Sequence, residues 1–174
     1  NTITVRQLLD EEIEPAAIRH QLMSAQYRRE LNFTREGLDA SSATVQRLLD
    51  FQARLDEEQG SADVDDGDLG AAAGEAIDRF RAAMDDDLNT AEALAALFVF
   101  VNRANSLLDG PSPPSSTDLA AAREALNSID RVLGLVSVAH ESRQVDEEIE
   151  SWIESLISER KAAESAVQER EAKL

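Results

Sequence analysis

Apolar residues recur along this chain with the period of an α-helix. The clearest run lies between Phe80 and Asn105. Ile77, Phe80 and Met84 close one helix on a single face, at i, i+3 and i+7. Asp85, Asp86 and Asp87 then stop it, because carboxylates at a helix C-terminus oppose the macrodipole. Leu88 and Asn89 read as the turn, and Thr90 as the N-cap of the next helix. There Leu94, Leu97, Phe98, Val101, Asn105 and Leu108 keep the 3.6-residue period over about five turns, roughly 27 Å. Val99 and Phe100 widen that face. Thr90–Asp109 is therefore the expected central, many-sided buried helix.

The other elements follow the same logic. Thr4 caps a short helix from Val5 to about Glu11 that turns Val5, Leu8 and Leu9 inward. Pro15 opens a second helix, with Ile18, Leu22 and Met23 inward. Tyr27–Phe33 is a connector whose last residue staples onto a helix capped by Thr34. That third helix, Arg35 to Glu58, carries Leu38, Val45, Leu48, Leu49 and Leu55 on one stripe. Gly60–Gly70 reads as a flexible acidic loop, Ala71–Met84 as helix four, and Gly110–Thr117 as a Pro/Ser loop. Helix six starts at Asp118, turns Leu119, Leu126, Ile129, Val132 and Leu133 inward, and stops at Gly134. Val136–Gln144 reads as a connector. The last helix, Asp146–Leu174, has an inward stripe of Ile149, Trp152, Ile153, Leu156 and Ile157 that thins beyond Arg160. Short links between amphipathic helices predict an all-α, antiparallel bundle of four or five helices.

Charge changes the picture. Asp and Glu number 35 against 17 Lys and Arg, for a net charge of −18, and lysine occurs only at positions 161 and 173. Such a chain repels itself unless salt shortens the Debye length. An acidic surface, Arg in place of Lys and few aromatics fit a salt-rich, halophilic cytoplasm; an acidic interaction domain is the plainer reading. There is no cysteine, so disulfides and thiolate metal sites are excluded. No uninterrupted apolar run approaches the ~20 residues of a membrane span, and no signal segment opens the chain, so a cytoplasmic location is expected.

No catalytic constellation emerges. His20 and His140 are far apart in sequence, and neither sits in a ligand pattern. Three adjacent aspartates at a helix end point in different directions, so Asp85–Asp87 suits a helix stop better than a Mg²⁺ site. Gly70–Gly74 lacks the following lysine of a phosphate loop. The expected catalytic and metal residues in this chain are none.

AMDDDLNTAEALAALF, from Ala83 to Phe98, resembles the AMDDD-F-NT-P-x-AL…LF segment that follows the catalytic core of cysteinyl-tRNA synthetases. Leu88 replaces the usual Phe, and Ala91 the usual Pro. YRRELNFTREG, Tyr27 to Gly37, is similar to the family's HYRSPLNFTEEG, and NTITVRQLL, Asn1 to Leu9, to the run after its KMSKS signature. The three occur in the family's order, and the resemblance covers most of the chain, weakening after about Trp152. The terminal ISERKAAESAVQEREAKL departs from the family pattern, with Glu164 where a basic residue is common.

The resemblance implies a short helical stem-contact segment and connector, residues 1–33, followed by an anticodon-binding-type helical bundle, residues 34–174. It implies a tRNA-binding region that positions tRNA(Cys) for ATP-dependent attachment of cysteine. The partners would be tRNA(Cys) and the catalytic domain, with no membrane and no DNA. ATP, magnesium and zinc belong to the family's catalytic domain, whose motifs this sequence does not contain, so no cofactor is expected here and the piece alone is expected to be inactive. Arg19, Arg28, Arg29 and Arg35 are the candidate tRNA contacts, because guanidinium binds phosphate bidentately and stacks on bases. The plainer reading pairs them with neighbours such as Glu30 and Glu36. Trp152 reads as core rather than as a stacking surface. Two other functions stand beside this one: an acidic helical scaffold for protein partners, and the C-terminal part of the related cysteine ligase of mycothiol synthesis.

Overall fold

This computed structural model describes residues 3–61 and 67–171, with side chains as far as 161. Among them are seven helices: α1 Val5–Asp10, α2 Pro15–Met23, α3 Arg35–Glu57, α4 Asp68–Asp85, α5 Thr90–Leu108, α6 Ser116–Leu133 and α7 Val136–Glu171. The fold class is all-α, as the periodicity predicts; the only β-type pairing among the described residues is an isolated Ser61–Ser115 bridge. The chain divides into two compact units, Asn1–Ala139 and His140–Leu174.

The core of the first unit forms where α4, α5 and α6 meet, with α3 alongside. Its large side chains are Phe51, Leu55, Phe80, Leu97, Phe100 and Ile129, all buried. The Phe51 and Phe100 rings meet edge to face at 5.7 Å. Between them the helix faces are alanine: Ala72 and Ala76 on α4, Ala93 and Ala104 on α5, Ala122 and Ala125 on α6, each nearly or wholly inaccessible. Small side chains at these contacts let the helix axes approach closely. α5 is also apolar and long enough to be weighed as a membrane span, and its burial among three helices accounts for that apolarity. A second, smaller cluster of Leu8, Ile18 and Leu38, with Phe33 and Ile13 against it, joins α1 and α2 to the start of α3.

The caps explain most boundaries. Thr4 and Gln7 form a capping box on α1, and the Thr34 hydroxyl accepts from Gly37 N at 3.0 Å. Pro15 is at the first position of α2, and Gly134, with φ of 61°, ends α6 in the left-handed conformation expected of it. Arginines from neighbouring helices close three C-terminal ends. Arg19 of α2 donates to Leu133 O at the end of α6, Arg123 of α6 to Leu55 O and Glu58 O at the end of α3, and Arg54 of α3 to Asp109 after α5. At the first two ends a planar fork with several donors reaches main-chain carbonyls and meets the negative end of the dipole, while at the third Arg54 pairs with the Asp109 carboxylate.

Several expectations are corrected. α5 is capped by Asn89, whose side chain accepts from Glu92 N at 3.3 Å, and Thr90 is its first residue. α4 begins at Asp68, three residues early, because the buried Asp118 carboxylate accepts Gly67 N at 3.0 Å and Leu69 reaches the core. A Cβ at Gly70 would stand 2.5 Å from that same carboxylate, so a larger residue there would have to displace it. α6 starts at Ser116, with Ser115 as its cap. Residues 62–66 of the acidic loop, together with residues 1–2 and 172–174, lie outside the described residues; the loop's near end is held by Ser61 N to Pro114 O at 2.9 Å.

The largest correction is Val136–Gln144, which is helix rather than connector. The Asp130 carboxylate accepts the N–H groups of Leu135, Val136 and Ser137 at 2.7, 2.8 and 2.9 Å, and Val136 and Ala139 are buried. Val5, Leu9, Leu22 and Val132, expected inward, are exposed. So is the whole stripe of α7: Ile149, Ile153, Leu156 and Ile157 are about half exposed, and Trp152 is 64 % exposed, not core. The second unit is a lone helix, which has no surface of its own to bury an apolar face.

Candidate functional site

The turn between α4 and α5 and the connector after α2 come together in space. After Asp85 the backbone reverses through Asp86, and Asp87 and Leu88 both take φ of 53°, in the left-handed region that L side chains rarely occupy. The turn is held by Leu88 N to Met84 O at 3.1 Å, Asn89 N to Ala83 O at 3.0 Å and Thr90 N to Leu88 O at 2.8 Å. Two successive left-handed residues without glycine carry strain of roughly 1–2 kcal/mol each.

That strained backbone presents the Asp87 carboxylate to the connector. Tyr27 donates its hydroxyl hydrogen to Asp87 Oδ1 at 2.9 Å. Arg28 Nε lies 3.2 Å from Asp87 Oδ2 and 2.7 Å from the Tyr27 hydroxyl oxygen, and its guanidinium carbon is 5.3 Å from the Tyr27 ring centroid. Both side chains are exposed, Tyr27 by 61 %. The two motifs, about sixty residues apart in sequence, are thus one cluster.

Each candidate arginine has a definite place. Arg19 is spent on the end of α6, where its Nε also limits the space at Gly134. Arg28 is paired with Asp87. Arg35 is paired with Glu11; that hydrogen bond, with the opposite charge, holds the Glu11 carboxyl below and the Arg35 guanidinium above their ordinary ranges. Neither Glu30 nor Glu36 is the partner of any of them among the described ion pairs. Arg29 is exposed and makes no side-chain hydrogen bond or ion pair among the described residues. Tyr27 and Asp87 were not singled out as site residues from the sequence, although both stand inside the motif segments; only their juxtaposition reveals the cluster.

A second polar cluster joins α2, α3 and α5. His20 Nδ1 is 2.9 Å from the buried Ser41 hydroxyl, which donates to Gln21 Oε1 at 2.9 Å, so the imidazole carries its proton on Nδ1. Burial pushes the His20 pKa below its usual value. Phe98 meets the imidazole edge to face at 6.2 Å and also lies under Arg47, which donates to Asn102 Oδ1 at 3.1 Å. Among the described residues no group of three His, Asp or Glu side chains is arranged to hold a metal ion.

A DALR domain, the helical anticodon-binding-type domain of class I synthetases, is matched over residues 79–137, from within α4 to the start of α7. The chain is 31 % identical over 179 residues to the cysteine–tRNA ligase of Chlamydia muridarum, across 99 % of this chain and 36 % of that protein. It is 38 % identical over 137 residues to that of Koribacter versatilis, across 79 % of this chain and 27 % of that protein. With the ligase of Solibacter usitatus it shares 33 % over 172 residues, 96 % of this chain. Over most of its length the chain is similar to cysteine–tRNA ligases. It corresponds to a C-terminal region and spans about a third of the length of the ligases it matches. The DALR-matching stretch holds the Asp87 side of the cluster, and the segment before it holds Tyr27 and Arg28.

Proposed function

We propose that this chain is the tRNA-binding helical region of a cysteine–tRNA ligase, positioning tRNA(Cys) for ATP-dependent attachment of cysteine by catalytic machinery whose motifs its sequence does not contain. The observation that carries this reading is the near-complete coverage of the chain by cysteine–tRNA ligases, with the DALR domain at its centre. The scaffold and mycothiol-pathway alternatives are not favoured, because the relatives that match the chain are named cysteine–tRNA ligases. A cytoplasmic location and adaptation to high salt are parts of the same proposal, supported by the net charge of −18.

A protein of this charge gains little from phosphate neutralisation, which costs about 0.9 log unit of affinity per contact per decade of salt. The tRNA affinity is therefore expected to be weak, with a salt slope worth about one to three phosphate contacts. Fluorescence anisotropy of tRNA(Cys) and an unrelated tRNA at several KCl concentrations measures both. Replacing Arg28 and Arg29 together by Ala is expected to weaken binding by roughly 1–3 kcal/mol. A double variant that binds like the parent would remove the connector from the RNA face. Lacking the adenylation motifs, the chain alone is expected to give no cysteine-dependent ATP–pyrophosphate exchange, and detectable exchange would sink that part of the reading.

A further inference from the structure

Tyr27 is the sole tyrosine of the chain, and in the first unit it is the one exposed aromatic ring among the described residues; Phe51, Phe80 and Phe100 are buried, and Phe33 and Phe98 half-buried. An exposed tyrosine ordinarily samples several rotamers. This one is tied at its hydroxyl to Asp87 and Arg28, and the Asp87 side of the tie rests on a strained left-handed turn closed by three backbone hydrogen bonds. Holding an aromatic face fixed and in solvent, with backbone strain spent to do so, serves no packing purpose. It does suit a planar partner.

We propose that the Tyr27 ring is a stacking platform for an unpaired nucleobase of the bound RNA, held in orientation by Asp87 and Arg28. The proposal rests on the RNA-binding reading above and deepens it. Unstacked bases are recognised on aromatic rings and on guanidinium planes, and every base offers a π-face. Arg28 lies against the ring and is neutralised by Asp87, so it stiffens the platform without adding a charge. Arg29, next in the chain and without a side-chain partner among the described residues, would take a flanking phosphate. Stacking releases no counterions, so it keeps its strength in salt that screens phosphate contacts. For a chain of net charge −18 this is the affordable form of RNA contact.

The test uses the whole chain and a tRNA(Cys) transcript, with a blunt, fully paired RNA duplex as a second probe. In a Trp152→Phe background Tyr27 is the only strong fluorophore. Its emission is expected to be quenched saturably by the transcript, with the midpoint seen by anisotropy, and not by the duplex. Tyr27→Ala is expected to weaken transcript binding roughly 5- to 100-fold with an unchanged salt slope, while Arg29→Ala lowers the slope by about one phosphate. Tyr27→Phe, which keeps the ring and loses only the tether, is expected to stay within about threefold of the parent, with the same slope. Circular dichroism establishes that each variant is folded; if Tyr27→Ala is not, Tyr27→Phe and the quenching decide. Parent-like binding by folded Tyr27→Ala, or an equal loss in Tyr27→Phe and Tyr27→Ala, overturns the platform while leaving RNA binding intact. Failure of the parent chain to bind the transcript at any salt overturns the RNA reading and the platform with it.

Discussion

Asp130 carries an unusual share of the first unit's order, and its removal gives a sharp test. One carboxylate accepts three backbone N–H groups, from Leu135, Val136 and Ser137, at 2.7, 2.8 and 2.9 Å. These are the donors at the start of α7, which have no intrahelical acceptor. Losing an ordinary cap costs about 0.5–2 kcal/mol, and bonds to a charged group lie at the upper end of hydrogen-bond values. Asp130 is half-buried, so water restores part of what is lost. Asp130→Ala is therefore expected to cost about 2–3 kcal/mol. At roughly 2–4 °C per kcal/mol for a chain of this size, the melting temperature falls by about 5–10 °C. Asp130→Asn retains the Oδ1 acceptor, which serves two of the three donors, and is expected to lose only about 1 kcal/mol. Far-UV circular dichroism melts measure both, and faster amide exchange at Leu135–Ser137 locates the effect. An alanine variant melting within about 1 °C of the parent would refute the argument, and so would equal losses in the two variants.

Leu88→Gly relieves a left-handed residue that is 56 % exposed, so a gain of about 1 kcal/mol is expected in the same melts; a loss would mean that Leu88 is held by contacts rather than strained. Burial lowers the His20 pKa, so between the folded value and the unfolded value near 6.5 the unfolded chain binds the extra proton. The stability associated with neutral His20 is full above that unfolded value and is lost as pH falls through the window. The melting-temperature difference between parent and His20→Gln is therefore expected to shrink from pH 7.5 to pH 5.5, and a constant difference would exclude the linkage. Melting temperature is expected to rise as KCl goes from ~0.1 M to ~2 M, where the Debye length drops from ~10 Å to below ~3 Å; a flat or falling curve would mean that the acidic surface is no adaptation to salt.

The long, strongly periodic helices α3, α5 and α6 were legible from their stripes, because burial on one face leaves a 3.6-residue signature that survives without any knowledge of neighbours. Thr34, Pro15 and Gly134 were legible because each solves a local backbone problem. What escaped depended on distant partners. The start of α4 is set by Asp118, fifty-one residues away from Gly67, and the start of α7 by the Asp130 carboxylate, which no pattern in the sequence singles out. The stripe of α7 read as core because periodicity records amphipathicity, not whether anything covers the apolar face. At the candidate site the motifs were visible, but four arginines of similar appearance proved to have four different surroundings. Pairing across the fold, rather than residue type, separates them.

The alanine seam between α4, α5 and α6 limits how this fold can drift. At Ala76, Ala93 or Ala122 a larger side chain forces overlap between helices, at about 1–3 kcal/mol, while glycine loosens the helix by about 1 kcal/mol. Selection there acts on volume from both sides, and the tolerated alphabet is close to one letter. Leu97 and Ile129, equally buried, have isomers and methionine as near-neutral neighbours. Neutral variation in this domain is therefore expected to pass through its bulky positions and its surface and to stall at its smallest residues, so the least conspicuous side chain in the core is the one with the least freedom to change.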